Sequence, residues 1–535
     1  MATSTVEPDY RQGERCRLAK VMRHFVLILI LGLGAWALWP REDAKAGSSE
    51  ATREGSASRK YTIRMAPGLY MPGRRPMNLG QPLQGLYKVR DEFEKVFPDT
   101  HIEFTEVPVS SREYLVTQLA AEQAPDILNV NVEDVWQDIQ KGWYVPLDDY
   151  LTQPNPFIPQ GKPGSKEWWD QFKYQSITRG LGAPDGKMYC VTLDMIETGI
   201  FYNKDIFKRL GLQLPKDWTE FMEIHRKLKS AGVTPLLANT SDMADWGMDL
   251  IFDQLYNEIL PGLDLAKDPK REVYLDGYLD WDELSFLFRQ GYFTKRDPRF
   301  VSVFRELKTW RQYFQKNMNS DLTKLFVTQK AAMWWTSSYA VNRMVRDPDV
   351  KFDWGVFYLP AMTKQHNRFA DGHDQVVIGG PATQLEVTNS AYNDTDDPKT
   401  SVKLKRTIAF LQFMCTPENT HRVVNEVLAL LPNIIGAEPR PELAPFHEFL
   451  QRKYTTTKWL YTFDLRFNEI YRRMLDLYLN DGIPEGEFME WMETNLKTAT
   501  DTVVRRKQLD LSPLEAKWKE LAPIRSKMTD LAGVN

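Results

Sequence analysis

Between residues 61 and 132 the sequence runs strand, helix, strand, helix, strand, and this order restricts the fold more than any other feature of the chain. Residues 61–65 read as a short strand. A loop follows over 66–82, punctuated by Pro67, Pro72, Pro76 and Pro82 with Gly68, Gly73 and Gly80. Leu86, Val89, Phe93, Val96 and Phe97 then fall on one face of a 3.6-residue period, which predicts a helix that Pro98 terminates. Residues 101–107 give a second strand. Ser110 with Glu113 offers a capping box for the next helix, and residues 126–132 give a third strand. Strands alternating with helices predict a parallel sheet covered on its faces, and ligands of open sheets bind beyond the carboxyl ends of the strands.

Further along, helical periodicity dominates, at 206–210, 218–228, 246–259, 284–288, 301–314, 402–414 and 468–479. Short strands interrupt it at 199–202, 331–335, 352–358 and 375–379. The chain is mixed α/β, and its 535 residues are too many for one core and sufficient for two lobes. A formal net charge of -4 and the lack of a concentrated basic stripe argue against a nucleic-acid partner. The run Arg505-Arg506-Lys507 reads as the solvated face of a helix.

Near the amino end, Arg11, Arg15, Arg17, Lys20 and Arg23 precede an apolar run of 15 residues from Phe25 to Trp39. That is shorter than a spanning helix requires and suits the core of an export signal. Ala44-Lys45-Ala46 supplies a small-x-small cleavage site, so residues 1–46 read as a signal peptide or, if uncleaved, a membrane anchor, with 47–60 a flexible leader. Both readings place the bulk of the chain outside the cytoplasm. Beyond the signal only Cys190 and Cys415 remain, which is no disulfide framework, although export permits one bridge.

Catalytic signatures are scarce. None of the seven His stands in a zinc spacing, and no nucleophile elbow, Walker loop or dinucleotide glycine fingerprint occurs. Paired carboxylates for glycoside hydrolysis leave no sequence signature, so a secreted carbohydrate-active hydrolase stays open as an alternative. Aromatic residues reach 12% of the chain, with 16 Trp. They serve a core as readily as they serve the flat platforms on which sugar rings stack. A calcium site in the 394–397 loop has no recognised ligand spacing.

The ordered motifs carry more. Glu92-Phe93-Glu94-Lys95 precedes Phe97-Pro98, followed by Ala124-Pro125-Asp126-Ile127 and by Gly142-Trp143 leading to Pro146-Leu147-Asp148-Asp149. Asp185-Gly186-Lys187-Met188-Tyr189 precedes Phe201-Tyr202-Asn203-Lys204-Asp205-Ile206-Phe207, then Leu210-Gly211-Leu212, Pro215 and Trp218-Thr219-Glu220-Phe221. Lys330-Ala331-Ala332-Met333, Trp354-Gly355-Val356 with Leu359-Pro360, and Ala409-Phe410-Leu411-Gln412-Phe413 with Thr416-Pro417-Glu418 complete the series. Taken together, from Tyr61 to the carboxyl end, the chain resembles the family 1 extracellular solute-binding proteins, the group that contains the maltose-binding protein. The motifs themselves are structural: Asn203 or Asp205 is placed to cap a helix, and Trp218 opens one.

The resemblance implies a two-lobed α/β fold of the periplasmic-binding-protein type, with hinge crossovers and a ligand cleft between the lobes. It places crossings near 194–199, 380–386 and 431–436, lobe I at 61–195 plus 384–433, and lobe II at 196–383 plus 434–530. It implies a monomeric, cofactor-free receptor that binds a carbohydrate, of oligosaccharide size, and delivers it to the transmembrane subunits of an ABC permease. A membrane-tethered ligand-sensing subunit is the remaining alternative. Insertions at 154–166 and 263–284 either widen the cleft or decorate the surface. The ligand positions carried over are Tyr70 after the first strand, then Asn131, Glu133 and Asp134 after the third, where Val130 replaces the aromatic of the maltose receptor. Asp194 and Glu197 stand at the lobe crossing. Tyr339 stands where that receptor stacks an aromatic on sugar. Trp246 opens a helix and fits a core equally well. Asp371 and His373 precede the return to the hinge.

Overall fold

The computed structural model describes residues 59–107, 112–183, 185–265, 279, 281–317, 320–395, 397–453 and 464–520. The export segment, nearly all of the leader, Ser110 of the expected capping box and part of the 263–284 insertion lie outside the described residues.

Three strands of the first lobe run parallel, as the alternation with helices predicts. They are β1 (Tyr61–Ala66), β2 (Thr100–Phe104) and β3 (Ile127–Asn129), with Ile63 opposite Ile102 and Met65 opposite Ile127. Two further strands, β4 (Cys190–Thr192) and β10 (Gln384–Val387), complete a sheet of order β2-β1-β3-β10-β4, in which β10 is antiparallel to both neighbours. The helix Gly85–Val96 buries Leu86, Val89 and Phe93 against this sheet, and Phe93 meets Phe410 of the helix Val402–Met414 edge-on at 5.0 Å. The buried Asp126 joins both layers: it accepts from the Arg64 amide at 2.7 Å and from Lys403 Nζ at 2.7 Å.

The second lobe centres on a sheet of order β7-β8-β6-β9, formed by β6 (Thr198–Asn203), β7 (Thr234–Leu237), β8 (Ala331–Ser337) and β9 (Trp354–Phe357). β7 runs parallel to β8, while β6 opposes both β8 and β9. Asn203 caps the helix Lys204–Arg209 by accepting from the Ile206 amide at 2.9 Å, as the sequence predicts. Asp217 caps the helix Trp218–Ser230. Trp218, Trp310 and Trp335 form the aromatic centre of this core. Two late helices, Leu465–Leu479 and Glu485–Lys507, close it through stacked pairs, Tyr478 on Phe488 at 4.8 Å and Phe467 on Trp491 at 5.7 Å.

Several expectations need correction. The third strand ends at Asn129, not Val132, because the Val132 amide turns to the Gln384 side chain (2.9 Å) and opens the helix Val132–Trp136. The second strand stops at Phe104. Residues 375–379 do not form a ladder among the described residues: the Val377 amide reaches the Lys453 carbonyl at 2.8 Å, and the Gly379 amide reaches Glu197 at 3.1 Å. The helix expected over 246–259 begins earlier, at Thr240–Asp242, passes through a π-helical turn, Met243–Gly247, and continues as Met248–Tyr256, so Trp246 lies within it and does not open it. Cys190 and Cys415 are buried free thiols.

Candidate functional site

The chain passes between its two sheets three times. The first passage is β5 (Asp194–Met195), which pairs with β11 (Leu431–Pro432), the third passage, through Met195 opposite Leu431. The second passage approaches at Gly380, which exchanges hydrogen bonds with Ile196 of 2.8 and 3.1 Å. Gly379 permits that approach: a Cβ there would lie 2.1 Å from the Ile196 carbonyl oxygen. The carboxyl ends of β1, β3 and β4 point to these passages from one side, and those of β7, β8 and β9 do so from the other. Loops that follow these ends therefore converge, where open α/β sheets bind ligands.

Buried polar groups pin the passages together. Asp194 is fully buried and accepts from the Ala382 amide at 2.8 Å, the Thr383 amide at 3.1 Å and the Tyr70 hydroxyl. Burial pushes its carboxyl up, against these three bonds. Burial and the Asp194 charge also raise the Tyr70 phenol well above its usual range. Gly68 lets the loop descend to this position, since a Cβ there would meet Asn129 Nδ2 at 2.2 Å and its φ is +59°. Glu197, also fully buried, accepts from the Thr198 amide at 2.6 Å and from the Gly379 amide. Asn433 accepts from the Tyr174 amide at 3.1 Å and donates to Thr178 and Thr192 hydroxyls at 3.0 and 2.9 Å. Ser338, directly after β8, donates its hydroxyl to the Ala429 carbonyl at 2.6 Å and its amide to the Glu197 carbonyl at 2.9 Å.

Tyr70, Asp194 and Tyr339 thus come together. Tyr339 begins the helix Tyr339–Arg346 directly after Ser338 and packs on the first lobe's core, and burial together with the Asp194 charge raises its phenol. Asn131 is exposed and accepts from Gln384 at 3.2 Å, while Gln384 also receives the Val132 amide. Asp134 is half-buried on the next helical turn, where burial lifts its carboxyl and Arg112 offsets it. The backbone of Glu133 lies in that same helix. Trp246 stands on the second lobe's edge, half-buried, 6.4 Å edge-on from Trp335.

Asp371 and His373 form a different cluster. His373 Nε2 lies 2.6 Å from Asp253, and Nδ1 contacts Asp371, which in turn accepts from Asn257 at 2.8 Å. Burial works against the imidazolium, but the two carboxylates outweigh it and raise its pKa. This clasp fastens the segment returning to the hinge onto the helix Met248–Tyr256.

Sequence reading overlooks Asp242, which follows β7 and whose carboxyl burial pushes up to about 6. Its neighbour Asp245 pairs with Arg472 at 2.5 Å. It also overlooks Asn129 and Gln384, because amides give no periodic signal. No grouping of three or more His, Cys, Asp or Glu suited to a metal ion occurs among the described residues. Asp394 is engaged with Ser401 and the Lys403 amide at the start of the helix Val402–Met414.

The profile of the bacterial extracellular solute-binding proteins matches residues 80–420. The chain belongs to that family. This solute-binding protein is 24% identical over 277 residues to a multiple sugar-binding protein of Streptococcus mutans, which covers 51% of the chain and 59% of that relative. It is 28% identical over 155 residues to the sn-glycerol-3-phosphate-binding periplasmic protein of Brucella abortus, covering 27% of the chain and 34% of the relative. It thus spans less than two thirds of either relative's length. The solved sugar-binding protein MalE of Xanthomonas citri superposes with a TM-score of 0.56, at 16% identity, over 84% of this chain and all of that one. That likeness shows the shared two-lobed fold.

Proposed function

We propose that this solute-binding protein is the extracytoplasmic receptor of an ABC importer, and that it closes on a carbohydrate of oligosaccharide size between its lobes and presents it to the permease. The observation that carries this reading is the convergence of both sheets' carboxyl ends on three pinned passages, with aromatic and amide side chains at their rims. Two relatives whose names specify sugars support the ligand class. The relative named for glycerol phosphate makes that compound the essential competitor in any test.

Tyr339 and Trp246 are the stacking platforms in this reading. Asn129, Asn131, Gln384 and Asp242 supply hydrogen bonds from the two sides. Asp194, Glu197 and Tyr70 act one layer behind, as the pins that keep the passages in register. The lobe limits are those the resemblance implies, 61–195 plus 384–433 and 196–383 plus 434–530, and export proceeds through the amino-terminal signal. Ligand stabilises the closed form only by contacting both lobes, so single-sided contacts do not drive closure.

Thermal unfolding against mono- and oligosaccharides, with glycerol phosphate and amino acids as controls, tests the reading. A concentration-dependent rise in midpoint with one sugar, recovered intact, is the expected result. A sugar consumed during incubation assigns a hydrolase instead, and a response to glycerol phosphate alone discards the carbohydrate.

A further inference from the structure

A cavity of about 560 Å³ opens on the second lobe between the start of the helix Pro298–Arg311 and the turn at residues 366–369. It shares no lining residue with the candidate ligand site. Lys295, Arg296, Arg305 and Arg368 line it together with His366 and Asn367, and no carboxylate is among the lining residues. Three of the basic groups are held from outside the cavity. Lys295 pairs with Glu490, Arg305 bonds Glu485 through two nitrogens at 2.6 and 2.8 Å, and His366 meets Glu306 at 3.0 Å. Arg296 and Arg368 make no ion pair among the described residues.

Both of these free guanidiniums rise from immobilised backbone. Arg296 directly precedes the buried Asp297, which caps the helix by accepting from the Arg299 and Phe300 amides and also receives the Tyr256 hydroxyl at 2.5 Å. Arg368 directly follows Asn367, whose amide donates to Ser302 and Glu306 at 2.9 Å each and whose carbonyl oxygen accepts from the Phe369 amide at 3.1 Å. The Arg368 guanidinium lies 4.5 Å from the centre of the buried Phe369 ring. Arg296 and Arg368 are exposed on the rim of one concavity, and planar guanidiniums without an ion-pair partner among the described residues suit the oxygens of a phosphate group. The cavity is far larger than one phosphate ion requires, leaving space for the body of an ester.

We infer that this pocket binds a phosphate group carried by a larger molecule, with Arg296 and Arg368 as its direct ligands and Lys295 and Arg305 as supporting charges. A soluble phosphate ester and an anionic lipid headgroup present the same chemistry, and the experiment separates them. Pyrophosphate is titrated calorimetrically into the full chain at low and raised ionic strength. Cosedimentation is measured in parallel with phosphatidylcholine vesicles that contain or lack phosphatidylglycerol. The comparison protein carries Arg296→Glu with Arg368→Glu, and Arg296→Gln with Arg368→Gln stands in should the reversal impair folding. Unchanged unfolding midpoints and an unchanged sugar response report that the fold and the cleft are intact.

Pyrophosphate binding that weakens with salt, and falls about tenfold or more in the variant, establishes a site for soluble phosphates. Vesicle binding that needs phosphatidylglycerol and disappears in the variant, with pyrophosphate silent, assigns the headgroup. Binding of neither probe, or binding that survives both substitutions, overturns the inference.

Discussion

Asp194 accepts three hydrogen bonds in a fully buried position, so its carboxylate is satisfied only while the passages and the loop after β1 remain in place. Removing one donor leaves a buried charge partly unsolvated, which costs about 1–3 kcal/mol. Tyr70→Phe is therefore expected to lower stability by that amount in urea denaturation, with the larger part of the loss at neutral pH. A second buried group sets a pH dependence. His225 is fully buried with only Nδ1 bonded, to the Phe221 carbonyl at 2.8 Å, and burial depresses its pKa from 6.5 to about 4. Between those values the unfolded chain binds a proton that the folded chain refuses. Stability from this residue is complete above 6.5 and is lost as pH falls toward 4, by about 3 kcal/mol in all. His225→Leu is expected to flatten the stability profile across that window. An unchanged acid slope assigns the dependence to other groups.

Gly379 and Ile196 cross so closely that the second passage admits no side chain at residue 379. Gly379→Ala should cost about 1–3 kcal/mol and weaken ligand closure together, since the same contact serves both; calorimetric unfolding with and without sugar reads the two effects. Elements with a long period were legible in the sequence. Val402–Met414 was readable to the residue, and Asn203 announced its cap, because local chemistry determines both. Arg505, Arg506 and Lys507 close the last turn of Glu485–Lys507, where cations suit the helix dipole. The strands β4, β7 and β10 are not legible in the sequence. Each has three or four residues, too few for alternation to register, and β10 exists because distant β3 and β4 leave a gap for it. The candidate site is legible by position in the fold rather than by residue type. Motif register in the sequence points to Asp194 and Tyr339, which the structure brings together, whereas the amides of Asn129 and Gln384 meet only once β3 and β10 have paired.

For the molecule as a whole, the proposed function has closure convert ligand binding into a change of shape. Small-angle scattering should show a smaller radius of gyration once the cognate sugar is present, and at a hundredfold excess over Kd the ligand adds about 2.7 kcal/mol of stability. A stability gain without compaction would indicate a receptor already closed when empty. The order of strands has a further consequence, for synthesis. β3 ends at residue 129, yet its neighbour β10 begins only at residue 384, and every chain emerges amino end first. For most of its elongation the first lobe is consequently an unfinished sheet whose open edges at β3 and β4 face a missing strand, an arrangement that invites foreign pairing. The interleaving that makes the two lobes one hinged body thus delays completion of the amino-terminal half until most of the chain has been made.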